Sequence, residues 1–230
     1  MTTAVVLQPG YLPWIGYFDQ LRRADVFVFY DDVQYNKHGW RNRNRIKTQN
    51  GPLWLSVPVR HSGLGFPLIR DIEIDRRTPW ARKHVSSIKQ AYARAPFVRT
   101  YLPPLEELLE RDWERLADLD IAIVGLMATW FGLDRPILRS STLGIGGERN
   151  ERLVAICKHF GATKYLSGDA ASVYVDVPLF ASHGIEVEWQ NYAHPVYPQL
   201  HGEFVPFMSA VDLAMNCGPE AALIGFNGMR

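Results

Sequence analysis

Short blocks of apolar residues alternate along the chain with segments whose apolar positions recur at helical spacing. Ala4 to Leu7 is the first block, and Gln8-Pro9-Gly10 stops it. A β-prone run ended by turn residues predicts a strand. Leu12, Ile15, Phe18 and Leu21 come next, so a helix is predicted from Leu12 to Arg23 with Pro13 in its first turn. Val26 to Tyr30 is nearly all apolar and ends in Asp31-Asp32, the pattern of a strand buried on both faces of a parallel sheet. These elements make a βαβ unit with a right-handed crossover. Leu53 to Arg60 and Leu68 to Ile74 alternate as strands, and the link His61 to Phe66 between them predicts a hairpin-like excursion. Thr78-Pro79 predicts the start of a helix running to about Arg94. Pro96, Pro103 and Pro104 punctuate the next region, and Leu105 to Phe131 reads as two helices closed by Gly132. A second βα rhythm has strands at Ile137 to Ser140, Thr163 to Leu166 and Ile185 to Trp189, with helices at Glu148 to Phe160 and Val177 to Ser182. The whole predicts an α/β fold with a largely parallel sheet, one domain over residues 1–230, carrying an insertion of strands and helices at about 50–132.

Composition narrows the partners. Hydrophobic residues are 47% of the 230, enough for a sizeable core. Lys and Arg number 25 against 24 Asp and Glu, a net charge of +1, so no nucleic-acid partner is expected. The basic concentration from Arg41 to Lys47 suits a single anionic group. The N-terminus lacks a basic n-region and no stretch approaches the roughly 18 apolar residues of a membrane helix, so a cytoplasmic protein without a membrane partner is expected. Cys157 and Cys217 fit no metal-ligand spacing and read as packed free thiols. No motif names a cofactor or a metal.

In an open parallel sheet, ligands sit beyond the carboxyl ends of the strands. Gln8 to Tyr11, Asp31 to Tyr35 and Ser167 to Asp169 should meet there, which makes Gln8, Tyr11, Tyr35, Ser167 and Gly168 candidate substrate-binding residues. Pro9, Gly10 and Gly168 would equally serve as turn makers. Asp31 and Asp32 are candidate catalytic bases or metal ligands, but neighbouring carboxylates point to two sides, and capping or a surface turn accounts for them as well. Arg41, Arg43, Arg45 and Lys47 alternate with Asn42 and Asn44 beside Trp40. If extended, the segment puts basic side chains on one face and asparagines on the other. Trp40, Arg41, Asn42, Arg43 and Asn44 are therefore candidates for holding a phosphate or carboxylate. His194, in a Pro-bounded loop between Tyr192 and Tyr197, is a candidate general base or a structural hydrogen bonder. Gly144, Gly146 and Gly147 precede a helix that could hold an anion at its start, where Glu148 would compete.

Four segments carry a resemblance: Leu7 to Phe18; Tyr30 to Tyr35 with Gly39 to Asn44; Tyr165-Leu166-Ser167-Gly168 with Tyr174; and His194 to Gln199, followed by Phe204-Val205-Pro206 and Asn216-Cys217-Gly218. Through them the chain resembles the WbqC-like protein family along nearly its whole length. The resemblance adds Gln34, Tyr174, Tyr197 and Gln199 to the candidate binding residues. It implies work in surface-polysaccharide or natural-product biosynthesis, on activated or amino sugars or on an acyl group destined for an amine. There is no Walker A sequence, G-x-S-x-G elbow, G-x-G-x-x-G after the first strand, or H-E-x-x-H. The opening strand, turn, helix and Asp-ended strand are similar to the start of nucleotidylyltransferase-type Rossmann-like domains. This implies a three-layer Rossmann-like architecture. Trp14 and Tyr17 stand where that group's paired histidines would be, which argues against the same nucleotidyl transfer. Three functions are compatible with these features. The first is a transferase acylating or aminoacylating an amino group of a sugar nucleotide or related intermediate. An acyl or aminoacyl carrier protein would be its partner, and Asp31, Asp32 or His194 its base. The second is a nucleotide-dependent carboxylate- or phosphate-activating enzyme. The third is a non-catalytic scaffold of a glycan-assembly complex.

Overall fold

A computed structural model of the protein describes residues 1–37, 39–60 and 65–227. The chain opens with β1 (Thr3–Leu7), α1 (Ile15–Arg23) and β2 (Val26–Phe29). An insertion then runs through β3 (Arg43–Thr48), β4 (Gly51–Ser56), β5 (Val59–Arg60), β6 (Glu73–Ile74), α2 (Trp80–Ala91), α3 (Val98–Leu109) and α4 (Leu116–Trp130). The sheet resumes with β7 (Leu138–Arg139), α5 (Arg149–His159), β8 (Lys164–Ser167), α6 (Val177–Ser182) and β9 (Glu186–Trp189), and α7 (Ala210–Cys217) and α8 (Ala221–Gly225) close the chain.

Five strands form one parallel sheet in the order β7-β2-β1-β8-β9, with Ala4 facing Val26 on one side and Tyr165 on the other. Strand order reverses at β1, so a crevice opens between the carboxyl ends of β1 and β8. Alternate side chains feed two cores. Val5, Phe27 and Phe29 pack with α1, the insertion helices and α7. Ala4, Val6 and Val28 pack with Leu153, Ile156 and Phe180 of α5 and α6. Helices thus cover both faces, giving the three-layer Rossmann-like α/β fold. Cys157 and Cys217 are buried free thiols, and burial pushes them up to about 12 and about 11.

Several local expectations give way to tertiary contacts. Helix α1 starts at Ile15 rather than Leu12, because Leu12 has φ 44° and its carbonyl accepts from Asn44 Nδ2 at 2.8 Å, while the Pro13 carbonyl accepts from Ala210 N at 2.8 Å. Strand β4 pairs with β3 across a tight turn from Thr48 to Gly51, where Gly51 has φ 94°. The insertion therefore begins near Arg43, not near residue 50. Among the described residues, the expected strand pairing is reduced to Val59–Arg60 with Glu73–Ile74, and Ile69–Asp71 is a 3-10 turn. Of the expected link His61 to Phe66, residues 61–64 lie outside the described residues. Thr78 does not cap α2 with its side chain. Pro103 and Pro104 lie inside α3 rather than ending it. Each leaves the carbonyl four residues earlier without a helical donor, and Arg99 and Thr100, which carry those carbonyls, are exposed to water. Among the described residues, no helix is long and apolar enough to cross a membrane.

Candidate functional site

The loop after β1 is built by close approach to the segment before β3. A Cβ on Gly10 would sit 3.3 Å from the Trp40 carbonyl, so glycine lets the two backbones meet. Tyr11 N donates to the Arg41 carbonyl at 3.0 Å, and Asn44 Nδ2 reaches the Tyr11 carbonyl at 3.3 Å. The Tyr11 hydroxyl lies 2.8 Å from His84 Nδ1 on α2. Burial lowers His84 to about 4, partly opposed by a hydrogen bond to the Ser56 backbone. The neutral imidazole spends its proton on Ser56, so Nδ1 accepts from Tyr11. Trp14 folds over Gly16, where a Cβ would fall 2.2 Å from the indole. The indole also meets Tyr192, Phe207 and a stacked His194 at ring distances of 5.3, 5.5 and 6.0 Å.

These elements enclose a cavity of about 400 Å³ at the end of β1. Trp14, Tyr17, Trp40 and Phe207 give it aromatic walls, and Arg41 and Arg45 give it positive charge. Arg41 donates through Nη1 to Gln8 Oε1 at 2.7 Å, and its buried Nε has no partner among the described residues. Burial lowers the Arg41 pKa, opposed by Tyr17 and then Asp120, Tyr35 and Tyr174. Asp120 of α4 is 0% exposed, and neither carboxyl oxygen has a partner among the described residues. Burial raises it well above the usual carboxylate range, with Arg41 opposing. A guanidinium with an unspent Nε in an aromatic-walled cavity suits an anionic group attached to a ring.

The model of the WbqC-like protein family matches residues 8–224. The chain belongs to the WbqC-like protein family. A relative described as "Uncharacterized protein Rv1507c", from Mycobacterium tuberculosis (strain ATCC 25618 / H37Rv), is 36% identical over 225 residues, covering 96% of each chain. No solved structure gives a significant match.

This WbqC-like protein brings Gln8, Tyr11, Trp40, Arg41 and Asn44 together at the cavity, with Arg43 beside its mouth. Asn44 spends its amide on backbone carbonyls, and Asn42 Nδ2 ties the hairpin to the Val57 carbonyl at 2.8 Å. Tyr35 is buried, pushed up to about 12, and acted on by Asp120, Arg43 and Arg41. Gln34 makes an antiparallel bridge with Leu68. Gly168 faces Gln20, a cavity residue, and Ser167 beside it is buried. Tyr174 is exposed, and its carbonyl accepts from Asn150 Nδ2 at 2.9 Å. Lys47 shares the strand face of Arg43 and Arg45 but is 2% exposed and donates to the Gly202 and Glu203 carbonyls.

Other candidates lie apart from the cavity lining. Asp31 is buried and accepts from Ser140 Oγ at 3.2 Å, Ser141 N at 3.1 Å and Ser141 Oγ at 2.8 Å. Asp32 pairs with Arg152 and also accepts from Ser140. The two carboxylates thus converge on Ser140, rather than pointing to opposite sides, and tie β2 to the turn after β7. His194 donates to the Pro195 carbonyl at 2.8 Å and accepts from Phe207 N at 3.1 Å, so both ring nitrogens are engaged. Tyr197 and Gln199 join Tyr92 around buried Asp212, at 2.9, 2.8 and 2.8 Å. Gln20 and Phe207 also line the cavity, His84 bonds its Tyr11 and Asp120 acts electrostatically on its Arg41, although the sequence pattern does not single these four out. Asp120 alone carries a signal, as an acid within the apolar run of α4. Among the described residues, no group of three or more His, Cys, Asp or Glu is placed to hold a metal ion.

Proposed function

We propose that this protein is a transferase that acylates or aminoacylates an amino group of a sugar nucleotide or related intermediate. The acceptor occupies the cavity and a thioester, carried by an acyl or aminoacyl carrier protein, is the donor. The supporting observation is Arg41, held by Gln8 inside an aromatic-walled cavity at the strand-order reversal, with its buried Nε unspent. In the transfer, the amine nitrogen attacks the thioester carbonyl carbon. The C–N bond forms as the C–S bond breaks, and the amine proton leaves with sulfur as the free thiol. The balance needs no net proton from the protein, which accords with a lining whose titratable side chains are Tyr11, Tyr17, Arg41 and Arg45. The chain's part is to bind, orient and exclude water, with Arg41 holding a phosphate. A cytoplasmic location belongs to the same proposal, since thioester donors and sugar nucleotides are made there.

Mass spectrometry tests the reaction. An amino-sugar nucleotide incubated with protein and carrier-bound or coenzyme A thioesters should gain the acyl mass, and Arg41→Ala should abolish the gain. No gain with any such donor, together with no thermal stabilisation by any sugar nucleotide, would overturn the proposal. A ligand at about 100 times its Kd adds roughly 2.7 kcal/mol, so binding would be visible. The activating-enzyme reading draws on the same strand order, and pyrophosphate release from ATP with a carboxylic acid would favour it instead.

A further inference from the structure

The β3–β4 hairpin and the segment before it carry half-exposed indoles and arginines just outside the cavity. Trp40 and Trp54 are 47% and 44% exposed, with ring centroids 5.2 Å apart and planes 34° from parallel. Arg43 Cζ lies 4.8 Å from the Trp54 ring centre; Arg45 Cζ lies 5.5 Å from Trp54 and 5.9 Å from Trp40. Arg45 and Trp54 are directly opposite in the strand pair, so their side chains leave the same face. Arg45 Nε is buried with no partner among the described residues. Trp40 and Arg45 also line the cavity, whereas Trp54 does not, so the ledge continues the cavity outward.

We propose that this ledge is the subsite for the base and diphosphate of a nucleoside diphosphate. The base stacks on the tryptophan pair, the diphosphate runs over Arg45 towards Arg41, and the group attached to it enters the cavity. A flat aromatic base and a dianionic linker are the two chemistries that would use these rings and these guanidiniums together. A phosphopantetheine arm brings phosphate without an aromatic ring and would leave both indoles uncovered. The identity of the group in the cavity rests on the transferase reading; the ledge itself does not.

Tryptophan-fluorescence titration with UDP, ADP, inorganic pyrophosphate and phosphopantetheine tests the ledge, using wild-type protein, Trp54→Ala, Trp54→Phe and Arg45→Ala. UDP or ADP should quench and bind at least about tenfold tighter than pyrophosphate or phosphopantetheine. Trp54→Ala should weaken the nucleoside diphosphate about tenfold or more, with Trp54→Phe retaining most of the affinity. Arg45→Ala should cost about tenfold and flatten the salt dependence. Trp54 is half exposed, so the unliganded Trp54→Ala protein should keep its thermal midpoint. Unchanged UDP and ADP binding in Trp54→Ala, or pyrophosphate binding as tightly as UDP, would overturn the ledge. Acyl transfer with an unchanged KM for the sugar nucleotide in Trp54→Ala would sink the ledge and leave the transferase standing. Trp54-dependent UDP binding without any acyl transfer would do the reverse.

Discussion

At Gly16 the absence of a side chain places the Trp14 indole, since any Cβ would fall 2.2 Å from it. Tyr192, His194 and Phe207 pack against the indole, so displacing it disturbs three ring contacts. Gly16→Ala is therefore expected to destabilise by about 1–3 kcal/mol in urea unfolding and to weaken cavity ligands, through overpacking. Two buried titratable groups give pH signatures. His84 is 7% exposed and depressed from 6.5 to about 4, so its contribution to stability is present above about pH 6.5 and lost as pH falls towards 4. The loss is on the order of 3 kcal/mol. Urea midpoints across that window should fall less in His84→Gln than in wild type. Asp120 is raised, so the sign reverses: its contribution is present below the ordinary carboxylate value of 3.8 and is lost as pH rises. Asp120→Asn should gain stability relative to wild type as pH is raised from about 4 to 8, and parallel pH curves would refute a raised Asp120. At this scale the motif around Trp14 is legible in the sequence because glycines and aromatics are rare in such density. His84 is not, because a histidine in an amphipathic helix gives no hint that a tyrosine on a distant loop will meet it.

Elements are legible where burial alone decides them. Strands β1 and β2 are short apolar runs, and α5 and α6 show helical periodicity with clear ends, so their positions follow from pattern. The β3–β4 hairpin is only half visible: the Arg and Asn alternation suggests an extended segment, but nothing in it points to β4 as the partner. Ile46 and Leu55 bury one face, while the other keeps the arginines and Trp54, so charge masks a strand. Helix α3 is obscured by Pro103-Pro104. Leu102, Leu105, Leu108 and Leu109 bury its apolar side, and that packing outweighs two missing backbone bonds. Pro103 is exposed, so Pro103→Ala should restore a bond without disturbing the core and stabilise by about 1–2 kcal/mol in thermal or urea unfolding. A loss of stability would mean that the proline is needed to shape the helix.

Across the whole molecule, strand order locates the cavity. β1 lies at the centre of the sheet, the order reverses between β1 and β8, and Gln8 and Gly168 lie beyond the ends of those strands. The segment from the end of β2 through β3 then supplies Trp40, Arg41 and Arg45 from one side, and the loop before α7 supplies Phe207 from the other. The carboxyl edge can be anticipated from the βα rhythm. Which residues reach it cannot, since Asp31 and His194 are spent on Ser141 and on backbone groups. The function proposed for the cavity turns on Arg41 as the group that holds the anion of a sugar nucleotide. Isothermal titration of an amino-sugar nucleotide into wild-type protein and into Arg41→Ala tests this most directly. The expected result is one saturable site in wild type, weakened at least about tenfold in a variant that unfolds at a similar temperature. Equal affinity in the two proteins would contradict it.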